Sequence, residues 1–153
     1  MIYIVLDSLP LSSNQAYWNN PAGGRVLTKA GAAYKAEVKN HIIKNHATET
    51  GQLKKDCAVG GLVAFGFPNM LTKNWPGKAK NRFQRLDIDN RVKLLQDAIK
   101  EATSMDDSQI CFDFKYKYHS TSPQTIVYLW NEDAEPIGHK LLNSFASIIG
   151  GSG

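Results

Sequence analysis

Between residues 110 and 118 apolar side chains alternate with others without a break: Ile110, Phe112, Phe114, Tyr116 and Tyr118 against Cys111, Asp113, Lys115 and Lys117. A two-residue period belongs to extended chain, so this run is a strand with one apolar and one mostly polar face. Such a strand needs partners, and the chain offers three. Ile2 to Asp7 is dense in β-branched and aromatic residues, and Thr125 to Trp130 forms another short strand. Ala58 to Phe67 is an apolar run that reads as a buried strand, with Gly60 and Gly61 near its start. Helical spacing fills the intervals. Thr28 can cap a helix reaching about residue 47, with Tyr34, Val38, His41, Ile42 and Asn45 along one side and Lys29, Lys35, Lys39 and Lys44 on the others. Val92, Leu95, Ile99 and Ala102 mark a second helix with Asp89 or Asn90 as its N-cap. Pro136 suits the first position of a third, along Ile137, Leu141, Phe145 and Ile148. Residues 14–27 read as irregular and 48–56 as a polar linker. The order β-α-β-α-β-β-α predicts an α+β fold, helices packed against a small mixed sheet.

A chain of 153 residues, 42% hydrophobic and 21% charged, fits one soluble globular domain. No run approaches the ~18 apolar residues of a membrane span. The N-terminus lacks a basic segment and reaches Asp7 at once, unlike a signal peptide, so a cytoplasmic location is expected. Cys57 and Cys111 stand apart, without zinc-ligand spacing, which fits free thiols in a reduced compartment. His41 and His46, five apart, do not share a helical face, which argues against a metal pair there.

The net charge of +4 is unevenly placed. Lys73, Lys78, Lys80, Arg82 and Arg85 fall within thirteen residues that hold no acid, with Trp75 and Phe83 between them. They lie in a loop, Pro68 to Arg85, longer than ~12–15 residues, a length that inside a compact domain is usually functional or disordered. A solvated face is the ordinary explanation of such a patch. Here it leads straight into carboxylates, Asp87 and Asp89 and then Asp106-Asp107. Cations leading to an acidic cluster suit a phosphate polymer steered onto a metal.

Asp87 and Asp89 share a face if extended and can approach one hard cation through oxygen; alternatively they only start a helix. An EF-hand beginning at Asp87 fails, because Val92 and Ala98 stand where Gly and Glu are required. Lys93, one turn after Asp89, is either an ion-pair partner or a cation for a reacting phosphate. Asp97 is either a structural hydrogen-bonder or an outer partner of a metal. Asp106-Asp107 could be no more than a turn. A helix from Asp89 to about Thr103 leaves Asp107 some ~20 Å from Asp89 at 1.5 Å per residue, so these acids meet only if the chain folds back or two subunits share a site.

The string Asp87-x-Asp89-Asn90-x-x-Lys93-x-x-x-Asp97-Ala98, followed by Asp106-Asp107-x-x-Ile110, resembles the RusA family of Holliday junction resolvases. Leu9-Pro10-Leu11-Ser12-Ser13-Asn14, then Tyr17, Arg25, Thr28, Gly31 and Tyr34, is similar to that family's N-terminal motif, its arginine loop and the start of its first helix. The likeness spans about residues 3–130; the glycine usual before Met105 is missing, and residues 132–149 form a helical extension of the RusA-like nuclease domain at 1–131, ahead of a flexible tail at 150–153. The resemblance implies a homodimeric endonuclease dependent on Mg²⁺, with Mn²⁺ as substitute, that cuts four-way DNA junctions by paired symmetric incisions in recombination and repair. Asp87, Asp89 and Asp107 would be the catalytic and metal-binding acids, with Asp106 the other candidate for the third, and Lys93 the essential lysine. Asn14, Arg25, Lys29, Lys73, Lys78, Lys80, Arg82 and Arg85 would bind DNA, and Trp75 or Phe83 would wedge near the branch point unless Phe83 is core. Neither a membrane nor another protein partner is expected. Two rivals remain: a nuclease acting on flaps or other branched DNA, and a DNA-binding protein without catalysis.

Overall fold

The computed structural model describes residues 1–53, 56–84 and 86–150, the last three without their side chains; Arg85, the Ile148 side chain and residues 151–153 lie outside the described residues. Four strands form one sheet in the order β1 (Ile2–Leu6), β6 (Gln124–Asn131), β4 (Val59–Phe67), β5 (Ile110–His119). β4 and β5 are parallel, joined by the crossover helix α4 (Asp89–Thr103), and the other pairs are antiparallel, so the sheet is mixed and the fold α+β as expected. No helix among the described residues is long and apolar enough to cross a membrane.

One face of the sheet carries the core. Across it run the rows Ile2–Leu129–Gly61–Asp113, Ile4–Val127–Val63–Lys115 and Leu6–Thr125–Phe65–Lys117. Their apolar members pack with Tyr34, Val38 and Ile42 of α2 (Lys29–Asn45) and Val92, Leu95 and Ile99 of α4. The rows end on β5 in charged residues. The apolar half of its alternation lies on the opposite face, in the rows Tyr3–Tyr128–Leu62–Phe114 and Val5–Ile126–Ala64–Tyr116. β5 therefore presents its polar face to a helix and its aromatic face outward, because a register shift at Val59/Gly60 sets which residues stand beside the inward side of β4. On the outer face Gly60 makes room for the Trp130 ring, whose atoms would lie 2.1 Å from a Cβ there.

Helix ends follow local chemistry. The Thr28 hydroxyl accepts from the Gly31 N–H at 3.1 Å, the expected cap of α2. At α4 the capping oxygen comes from neither Asp89 nor Asn90: Asp87 Oδ1 accepts the N–H groups of both, at 3.0 and 3.3 Å. Residues 14–27 are more regular than expected. A short helix α1 (Ser13–Ala16) leads into a hairpin of β2 (Tyr17–Asn19) and β3 (Arg25–Leu27), turned by Gly23 and Gly24 at φ +101° and +86°. The segment read as linker opens with the short helix α3 (Ala47–Thr50). The last helix, α5 (Ile137–Gly150), is anchored at its start by buried Glu132, which accepts the N–H groups of Gly138 and His139 at 3.0 Å each and the indole N–H of Trp130.

Candidate functional site

The N-terminus of α4 carries the predicted Asp87, Asp89 and Lys93. Asp87 holds it through one carboxylate oxygen, while the other takes the Asn90 side-chain N–H. Asp89 turns outward, with 77% of its side chain exposed, and its Oδ1 lies 3.2 Å from the Lys115 ammonium of β5. The same ammonium is 3.4 Å from Asp113 Oδ2, so one cation links a carboxylate of the helix to a carboxylate of the strand. Burial pulls the Lys115 pKa down, but its bonds to Asp89 and Asp113 outweigh that and leave it raised. Lys117 donates to the Leu86 carbonyl at 3.2 Å and fixes the chain entering the helix. Asp113, Lys115 and Lys117 were missed in the sequence because their run reads as the solvent side of a half-buried strand. The available signal was the charged strand face itself, opposite a helix that begins with carboxylates.

The N-terminal motif comes to the same place. The Ser13 hydroxyl donates to the Asn90 carbonyl at 2.9 Å, seating α1 on the start of α4 and leaving Asn14 exposed beside it. Arg25 donates to the Ser13 carbonyl at 3.3 Å and lies 5.3 Å over the Tyr17 ring. Tyr17 in turn donates to Asp97 at 2.8 Å, which gives Asp97 a structural role. Burial, then this bond to the carboxylate, pushes the Tyr17 pKa up to about 12. Lys29, at the start of α2, is exposed; Lys35, further along, is paired with Glu101. Lys93 projects into solvent one turn beyond Asp89, with no ion-pair partner among the described residues.

The basic loop is not structureless. Leu71 and Phe83 pair across it, the Thr72 N–H donates to the Arg82 carbonyl at 2.8 Å and the Gln84 N–H to the Met70 carbonyl at 2.9 Å. Lys73, Lys78, Lys80 and Arg82 are all exposed on this flap, which leads directly into Asp87. Trp75 and Phe83 are exposed as well, 46% and 47%, so Phe83 is not core; the Arg82 guanidinium sits 5.3 Å over its ring.

Asp107 stands elsewhere. It is 2.8 Å from the Lys100 ammonium, near the other end of α4. Eleven residues of helix separate Lys100 from Asp89, about 16 Å. Its neighbour Asp106 is occupied locally, accepting the Ser108 N–H at 2.9 Å to start a 3₁₀ turn, Asp107–Gln109. Within one chain neither reaches the α4 N-terminus, and no three His, Cys, Asp or Glu side chains converge among the described residues. Asp87 and Asp89 offer carboxylate oxygens at the α4 N-terminus, the donor type that hard divalent cations such as magnesium take, with water and substrate phosphate completing the shell.

Compared with models of known protein families, the chain matches the one described as Endodeoxyribonuclease RusA over residues 7–129. A search of curated proteins finds no match. The matched span takes in the α4 N-terminus, the basic flap and β5, and ends before α5.

Proposed function

The chain belongs to the RusA family of endodeoxyribonucleases, and on that premise we propose that it is a cytoplasmic, magnesium-dependent homodimer that resolves four-way DNA junctions by paired symmetric cleavage in recombination and repair. The observation that carries this reading is the outward-facing Asp89 beside Asp87, at a helix start entered from a flap of exposed cations. Lys73, Lys78, Lys80 and Arg82, with Arg85, would take phosphates by charge and shape, as would Asn14, Arg25 and Lys29 on the other flank of the α4 N-terminus. Asp87 and Asp89 would hold Mg²⁺, or Mn²⁺ in its place. A divalent ion bound there would activate water as the nucleophile and offset charge on the phosphate. Asp87, tied to the helix start through both oxygens, keeps the pair in place. Lys115 holds Asp89 toward the strand until a stronger cation competes. Lys93, exposed one turn beyond Asp89, would neutralise charge on the scissile phosphate. The third acid, Asp107, would be supplied across the dimer, since helix α4 keeps it from Asp89 of its own chain.

A labelled four-way junction incubated with and without Mg²⁺ tests this. Symmetric paired nicks are expected only with the metal, and Asp89→Asn should abolish them while junction binding persists. Binding with no cutting in Mg²⁺ or Mn²⁺ would refute the reading in favour of a non-catalytic binder, and preferred cutting of flaps would favour a broader branched-DNA nuclease.

A further inference from the structure

Asp89, the outward carboxylate of the proposed metal pair, already has a cation. The Lys115 ammonium lies 3.2 Å from Asp89 Oδ1 and 3.4 Å from Asp113 Oδ2. A divalent ion on Asp89 would be crowded by a like charge at that distance, so metal loading requires Lys115 to move aside. The strand determines where it can go. Asp113 and Lys115 stand two residues apart on β5 and share its inner face, in register with Gly61 and Val63 of β4. Their side chains are 28% and 32% exposed, held between strand and helix, whereas Asp89 at 77% is the partner able to turn away. Lys117, the next side chain along that face, is committed to the Leu86 carbonyl at 3.2 Å. Beside Asp113 a cavity of about 20 Å³, lined also by Gly61 and Gln96, has room for one water to solvate its carboxylate. Asp113 is thus a charged, half-buried and already engaged resting place for the displaced ammonium.

We infer that Asp113 is a positioning residue for the metal site: it holds the Lys115 ammonium beside Asp89 when no metal is bound and takes it over when Asp89 turns to a divalent cation. Metal loading is then an exchange of one cation for another on Asp89. Asp113 acts through Lys115 and not on the metal itself, and this distinguishes it from a further ligand. Without the Asp113 charge, Lys115 is left with Asp89 alone and competes harder for it, so metal binding weakens. Without Lys115, Asp113 has nothing to position, and its charge hardly matters to the metal. A carboxylate that ligated the metal would be missed equally in both backgrounds. The inference rests on the proposed metal pair Asp87 and Asp89, and it gives a part to two β5 residues that lie beyond the motif from Asp87 to Ile110.

A double-variant cycle on the full chain tests it, read by calorimetric Mg²⁺ titration, with circular dichroism and the urea midpoint verifying the fold of every variant. Loss of the binding signal in Asp89→Asn locates the metal. Asp113→Asn should weaken Mg²⁺ binding about three- to fivefold, the upper part of the range for a partly exposed ion pair. In the Lys115→Met chain the same substitution should change binding by less than about twofold. Asp113→Ser supplies the same comparison if the amide variant does not fold. Unchanged or tighter binding in Asp113→Asn would overturn the inference, and so would an equal loss in both backgrounds, which would make Asp113 a ligand; either result leaves the pair Asp87 and Asp89 standing. Mg²⁺ binding that survives Asp89→Asn, or its absence from the natural chain, would instead overturn the metal pair and this inference with it.

Discussion

Replacing Glu132 by Gln keeps the shape of the side chain and removes its charge. Glu132 is 7% exposed and accepts N–H groups from Gly138, His139 and Trp130, so every donor around it points at a carboxylate oxygen. An amide offers one oxygen and sets its own N–H₂ against at least one of those donors. The loss is at least one bond to a charged acceptor, about 1.5–3 kcal/mol, plus up to about 1 kcal/mol of attraction to the helix N-terminus. Glu132→Gln should therefore cost about 2–3 kcal/mol. With a urea slope of about 2 kcal/mol/M, the unfolding midpoint falls by roughly 1–1.5 M at pH 7. Burial raises the Glu132 pKa, but the N–H bonds from Gly138, Trp130 and His139 outweigh it and hold the pKa below the ordinary value. A depressed carboxylate stabilises the fold fully above the unfolded pKa, near ~4.3, and that contribution fades as pH falls through the folded value. The gap between wild type and variant should thus close in acid. Equal midpoints at pH 7, or a gap unchanged between pH 7 and 3, would refute the account of how α5 is anchored.

Ser104 ends α4 at φ 58°, a left-handed position where glycine is favoured, so Ser104→Gly should stabilise by about 1 kcal/mol in the same urea assay; a loss would refute it. Tyr17, at about 12, and Tyr34, pushed higher still by burial, ionise later in the fold than in the unfolded chain. Stability should then fall as pH rises past about 10, and phenolate absorbance should develop in two stages, the second with unfolding; one stage near 10 in folded protein would contradict this. Lys115→Met frees Asp89 from a competing ammonium at 3.2 Å. Calorimetric Mg²⁺ binding should tighten by up to about fivefold, the equivalent of the roughly 1 kcal/mol upper end for exposed pairs. Weaker binding would mean that Lys115 organises the acids rather than competing for them.

Local signals carried most of the elements into view. The helices rested on caps and apolar stripes, and these are properties of neighbouring residues: Thr28 caps α2, and Val92, Leu95 and Ile99 are buried on α4. Asp87, Asp89 and Lys93 were legible as a group because the turn of a single helix relates them. The hairpin at residues 17–27 was not, since glycine and asparagine announce a turn without saying that strands flank it. Nor was the orientation of β5. Alternation identifies two faces but not which one a distant helix will cover, and Asp113 and Lys115 become part of the site only through the pairing with β4. The separation of Asp107 from Asp89 was legible as soon as a continuous helix was placed between them, and the ion pair with Lys100 agrees with it.

The two faces of β5 also make the turn before it intolerant of length. Residues 104–109 join α4 to a strand whose Asp113, Lys115 and Lys117 look at the helix and whose Phe112, Phe114 and Tyr116 look away. Deleting one residue there would do more than shorten a loop. Restoring the strand pairing one step out of register would turn β5 over, placing Phe114 and Tyr116 under α4 and the lysines on the open face. The reciprocal bonds between Asp106 and Gln109, with the Gln109 amide held by the Cys57 carbonyl at 3.0 Å, thus act as a gauge block for the whole strand.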